Sequence, residues 1–161
     1  MKKWSFKKWN TVLGWFLFFI ALITYFSTIE HSLSFWDCGE YISSAVKLEV
    51  THAPGAALFQ IVGAAASILA LGNSGSHAIV INAMSALFSA LTVVFLFWTI
   101  THFLRRILHK DFEELTRQQE ISILLAGVIG SLCFTFSDTF WFSAVEGEVY
   151  SLSLIHISEP T

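Results

Sequence analysis

Residues 78–101 read AIVINAMSALFSALTVVFLFWTIT, twenty-four consecutive positions without a charged side chain. A bilayer core takes about 20 apolar residues as helix. Hydrocarbon offers no water to unpaired backbone groups, so a run of this length predicts a membrane-spanning helix. Two further runs lie on either side, TVLGWFLFFIALITYFSTI at 11–29 and ISILLAGVIGSLCFTFS at 121–137. The basic start of the first run also suits a cleaved signal peptide. The stretch is long, however, and no A-x-A-like site follows, which favours an uncleaved signal anchor. Composition agrees with all three spans. Hydrophobic residues make up 55% of the 161, charged residues 13%, and the mean hydropathy is +0.65. Soluble domains carry about 25% charged residues, so this chain could not coat a soluble globule with charge. Sixteen Phe and only two Pro exclude disordered and collagen-like classes. The net charge of -3 argues against a nucleic-acid partner, and two cysteines do not make a disulfide scaffold. The fold class is all-α integral membrane, with the lipid bilayer as first partner.

Residues 55–71 (GAALFQIVGAAASILAL) form a shorter, Ala- and Gly-rich run. Gln60, Gly63, Ser67 and Ala70 share one helical face, while Leu58, Ile61, Val62, Ile68 and Leu69 gather towards the other. Such a segment can lie in the interface, pack on other helices, or span. Basic charge discriminates, because Lys and Arg collect in cytoplasmic loops. Lys2, Lys3, Lys7 and Lys8 precede the first run; Arg105, Arg106, Lys110 and Arg117 follow the second long one; Lys47 stands alone. If 55–71 crosses, four fall inside and five outside; if it does not, eight fall inside and one outside. The expected topology is therefore three spans with the N-terminus cytoplasmic. An external loop covers about 30–77 and a cytoplasmic loop about 102–120, and the chain after Ser137 is external again.

In that topology Glu30, Asp37, Glu40 and Glu49 lie on the same side as Asp138, Glu146 and Glu148, with Trp36, Tyr41, His52, Trp141 and Tyr150. An acidic and aromatic surface at the outer interface suits a polar sugar carried on a lipid. FWDCGEYISSAVKLEV at 35–50 predicts a helix along the interface, with Asp37, Glu40, Tyr41, Ser44 and Leu48 on one face at spacings of three and four. That face serves either as a solvated surface or as a general base with a tuning carboxylate one turn away. Pro54 ends any preceding helix. His52 before it is either a turn residue or a ligand for a phosphate or metal.

FWDCGEYISSAVKLEVTHAPGAALF resembles the first external loop of the GT-C class of membrane glycosyltransferases. It is most similar to the protein O-mannosyltransferase branch long known in bacteria as a domain of unknown function. Related loops pair a D-x-x-E-Y or D-E-x-x-Y element with a downstream H-P-P-x-G or H-P-P-G element. Here the second element is HAPG, with Ala53 replacing the first proline. FSDTFWFSAVEGEVYSLS resembles that branch's F-W-F-S-A-V-E-x-E-V-Y segment, and the similarity extends over about 10–151. The resemblance implies the N-terminal part of a GT-C fold, with a span, an external loop bearing interfacial helices, and further spans. It implies a bacterial inner-membrane enzyme that moves a sugar, mannose in this branch, from a polyprenyl-phosphate carrier to a Ser or Thr of an acceptor protein. Asp37 matches the acidic residue taken as base, Glu40 its neighbour, and Glu146 and Glu148 the second acidic motif; Tyr41 and His52 complete the substrate surface. Metal dependence is left open. A hydroxyl acceptor needs a carboxylate to take its proton, and the phosphate leaving group needs positive charge, donors or a metal. Only Lys47 and His52 offer that outside, so the phosphate site is expected to come from residues beyond this sequence.

The last ten residues, LSLIHISEPT, resemble the in-frame translation of a transposon-derived sequencing adapter. Residues 152–161 are therefore expected to be non-native, and 1–151 to be an inactive fragment of the enzyme. The competing class is a non-enzymatic multi-span protein, a transporter or assembly subunit. Carboxylates deep in the spans would favour it, and the three runs contain none. Asn82, Ser85, Ser89 and Thr92 form a small polar stripe expected to serve helix packing. Cys38 is read as a packing residue, unpaired with Cys133.

Overall fold

The computed structural model describes residues 5–34, 37–51, 56–108 and 115–150, which fold as helices joined by turns and short loops. Three helices are long and apolar enough to cross a membrane: α1 (Phe6–Ser27), α4 (His77–Leu108) and α5 (Arg117–Thr135). Two shorter helices, α2 (Cys38–Lys47) and α3 (Ala57–Ser67), lie between α1 and α4, and α6 (Asp138–Val145) follows α5. At 1.5 Å per residue α1 and α5 measure about 33 and 28 Å, and α4 about 48 Å. The last exceeds the roughly 30 Å of hydrocarbon in a bilayer, so α4 reaches beyond it.

Hydrogen bonds between helix ends establish the directions. Trp98, near the end of α4, donates its Nε1 to the Asn10 carbonyl near the start of α1 at 3.3 Å. Asn82, near the start of α4, donates to the Glu30 carbonyl just beyond α1 at 2.8 Å. Hence α1 and α4 are antiparallel. The Tyr25 hydroxyl donates to the Thr135 carbonyl at 3.1 Å, so α1 and α5 end together. Lys7, Lys8, Arg105, Arg106 and Arg117 consequently share one end of the bundle.

The core follows from small residues facing large ones. Leu17, Ala21 and Tyr25 of α1 meet Ala86, Ala90, Val93 and Phe97 of α4, with Ile123 and Leu124 of α5. A Cβ at Gly127 would lie 2.7 Å from Thr101 Cγ2, so only glycine lets α5 come this close to α4. Close backbone approach through small residues is the usual basis of helix association in membranes. The Asn82, Ser85, Ser89 and Thr92 stripe is wholly buried in this packing. A capping box starts α5: Thr116 Oγ1 accepts the Gln119 N–H, and the Gln119 side chain accepts the Thr116 N–H.

Helix α3 is inverted relative to a helix in water. Phe59, Gln60 and Gly63 are buried, together with Ala70 in the turn that follows. Leu58, Ile61, Ile68 and Leu69 are exposed. Phe59 turns inward together with Gln60 and Gly63, and the aliphatic residues turn outward, as suits a surface against lipid.

Helix α2 departs from its expected acidic face. Tyr41 and Ser44 are buried, Glu40 is exposed, and Leu48 lies past the helix end with φ +56°. The buried stripe is Cys38, Tyr41, Ile42 and Ala45, because Phe59 of α3 and Ile81 and Met84 of α4 cover that side. The amphipathic pattern was set by these tertiary neighbours and not by the charges.

Candidate active site

The acidic residues gather where α2 begins and where the chain leaves α6. Asp37 occupies the N-cap position of α2, with Glu40 in its first turn. Both Asp37 and Glu40 are exposed, while Tyr41 is buried and packs edge-on against Phe59 at 5.7 Å between ring centroids. Beyond α6, Glu146 leaves the helix in extended conformation, and the Glu148 N–H donates to the Glu146 carbonyl at 2.8 Å in a tight turn.

A set of contacts, buried only in part, joins this turn to the first loop. Asn82 Nδ2 donates to the carbonyls of Glu30 at 2.8 Å and Ser32 at 3.4 Å. The Glu30 N–H donates to the Val145 carbonyl at 3.2 Å. A Cβ at Gly147 would sit 3.1 Å from both Asn82 Oδ1 and Ile42 Cγ1, so the turn presses on α2 and α4 together. Trp141 Nε1 donates to Thr28 Oγ1 at 3.0 Å, and Phe140 stacks against Phe134 at 4.1 Å and edge-on to Tyr25 at 6.1 Å. Helix α6 is thereby clamped to the ends of α1 and α5.

The electrostatics follow from this convergence. Burial pushes the half-buried Glu148 carboxyl above the usual carboxylate range, and the charges of Glu146 and Asp37 push it further. Tyr41 is raised by burial and then by Glu148, Asp37 and Glu40, with Tyr150 contributing. Burial also raises the Cys38 thiol, against the pull of hydrogen bonds from the backbone of Ser34 and Gly147. Glu30 moves the other way, lowered because Ser32 donates to its carboxylate through both backbone N–H and hydroxyl.

Four of the six residues singled out in the sequence, Asp37, Tyr41, Glu146 and Glu148, thus act on one another across one seam, with Glu40 exposed beside Tyr41 in the first turn of α2. His52 lies outside the described residues. Among the described residues no three His, Cys, Asp or Glu side chains converge closely enough to hold a metal ion. Cys38 is fully buried in the cluster with Tyr41 and Ile42, as expected of a packing residue, and both it and the exposed Cys133 are free. The sequence reading missed the second task of Asn82, which ties the first loop to α4. A carboxamide near the start of an otherwise apolar run was the available signal.

Three comparisons bear on the chain. A family model described as the Protein O-mannosyl-transferase TMEM260 N-terminal domain matches residues 37–158. Protein O-mannosyl-transferase tmem260 of Dictyostelium discoideum is 27% identical over 142 residues, 88% of this chain and 15% of that protein. Protein O-mannosyl-transferase TMEM260 of Mus musculus is 32% identical over 130 residues, 81% of this chain and 16% of that protein. The chain therefore spans 15–16% of the length of these curated relatives. No solved structure matches it.

Proposed function

Since the chain belongs to the protein O-mannosyl-transferase TMEM260 N-terminal domain family, we propose that it is the N-terminal part of a membrane enzyme that moves mannose from a polyprenyl-phosphate carrier to a Ser or Thr hydroxyl of an acceptor protein. The observation that carries this reading is the seam itself, in which two acidic segments about a hundred residues apart are held against one another at one end of the bundle. Asp37 acts as base towards the acceptor hydroxyl. It is exposed at the mouth of the seam and near enough to Glu148 to influence its proton. Glu40, Glu146 and Glu148 shape the site and Tyr41 lines it, and His52 is assigned to substrate binding on its sequence motif. The acidic end faces away from the cytoplasm, and the basic end faces inward under the positive-inside rule.

Glu148 is the specific alternative for the base. Its carboxyl is held above the ordinary range by burial, and a raised carboxyl holds a proton more readily near neutral pH. Transfer from polyprenyl-phosphate mannose by the full-length enzyme distinguishes the two. Asp37→Asn keeps size and hydrogen bonding but cannot accept the proton, and should lower turnover by about a hundredfold to ten-thousandfold. Near-normal turnover by Asp37→Asn would transfer the role to Glu146 or Glu148. Loss of the protein from the membrane would leave α2 a purely structural helix.

A further inference from the structure

At the opposite end of the bundle the first turn of α1 and the last turns of α4 enclose a cavity of about 320 Å³. Its walls are the rings of Phe6 and Trp98, and Lys7, His102 and Arg105 line its rim. The Arg105 guanidinium lies 4.9 Å from the Phe6 ring centroid, which holds it over the opening as a cation on an aromatic face. Asn10 also lines the cavity, half-buried, and its Oδ1 has no hydrogen-bond partner. None of the lining residues is acidic. Trp9 and Trp15 are exposed along the same end of α1, the level at which amphipathic rings settle between headgroups and acyl chains.

We propose that this cavity binds the headgroup of an acidic phospholipid. The phosphate sits between Lys7 and Arg105. Asn10 Oδ1 accepts a hydrogen bond from a headgroup hydroxyl. The acyl chains run down the apolar flank of α1. Basic pockets between membrane helices commonly take such headgroups, each Lys or Arg contributing about 1 kcal/mol. The aromatic walls and the tryptophans beside the cavity favour a lipid over free phosphate. The site is independent of the acidic seam at the other end.

The test is native mass spectrometry of the full-length enzyme in detergent, titrated with dioctanoyl phosphatidylglycerol and, separately, dioctanoyl phosphatidylcholine. Phosphatidylglycerol should bind the more tightly. Lys7→Gln with Arg105→Gln should weaken it about twenty-five-fold, and Lys7→Gln alone about fivefold. Lys7 is an exposed residue in the first turn of α1, so the single variant keeps the test valid should the double one misfold. Arg106→Gln, at the same end but outside the cavity lining, should change binding by less than about twofold. Equal binding of the two lipids, an Arg106→Gln effect as large as that of Lys7→Gln, or displacement of the lipid by inorganic phosphate at matched ionic strength would each overturn the proposal.

Discussion

At the acidic end of the bundle Asn82, Tyr25, Trp141 and the Glu30 amide each hydrogen-bond a segment at least fifty residues away in sequence. At the basic end the Trp98 indole bonds the Asn10 carbonyl and Arg105 stacks on Phe6, while Lys7, Lys8 and Arg106 are exposed. Under the two proposals made above, the difference is one of task. Carboxylates that repel one another are held together only if the backbone beneath them is pinned from several sides. Cations that meet lipid headgroups gain from reach and need only an aromatic shelf. A carboxyl raised by burial and by neighbouring carboxylates, on a pinned backbone, is the arrangement that the proposed proton chemistry calls for.

The largest expected effect tests whether chemistry belongs to the acidic end. Asp37→Asn should lower transfer by at least about a hundredfold in the full-length enzyme, whereas Glu49→Gln should retain most of it. Comparable losses in the two variants, measured as initial rates, would dissolve the distinction between the seam and its surroundings.

The next effect breaks the pinning. Asn82→Leu fills similar space but leaves the Glu30 and Ser32 carbonyls without their donor. Its cost should be about 1–3 kcal/mol, read as a lower Tm in detergent. Turnover should fall along with it, because the turn at Gly147 rests on the same side chain. An unchanged Tm would mean that the acidic end needs no polar anchor.

A smaller effect comes from Glu148. Its carboxyl is raised in the folded chain, so the native state holds the proton more tightly than the unfolded one. That contribution is fully present below the unfolded value and is lost as pH rises through the folded one. Glu148→Gln removes the loss. The variant should match the parent near pH 4 and be more stable at pH 8, by about 0.5 kcal/mol, because the group is half-exposed and solvent screens it. Parallel Tm curves for parent and variant across that range would mean that neither burial nor the neighbouring Glu146 and Asp37 holds the carboxyl up.

Orientation sharpens the comparison without changing stability. Cysteine introduced at Lys110, between α4 and α5, should resist an impermeant thiol reagent applied to intact cells. Ready labelling would place the basic end outside and reverse the proposed sidedness.

Much of this was legible in the sequence. Three runs of uncharged residues announced α1, α4 and α5, because a bilayer imposes length and apolarity on each helix separately. The Asn82 to Thr92 stripe was readable as packing, since small polar residues in an apolar run have little else to do there. The acidic motifs were visible as residue types at their spacings. Their meeting was not legible from spacing. It depends on antiparallel packing of α4 against α1, on a short α6 absent from the periodicity, and on an asparagine carboxamide bridging two loops. The inward face of α2 was also hidden. Asp37, Glu40, Tyr41 and Ser44 share a helical spacing, yet the side that became buried was the one α3 and α4 happened to cover. Local sequence determines which segments are helical and which of them suit lipid, because those preferences act within a few turns. Which side chains of remote segments become neighbours, and so which carboxyls shift one another, is decided by packing between helices, where contacts are non-local and each is weak without the rest.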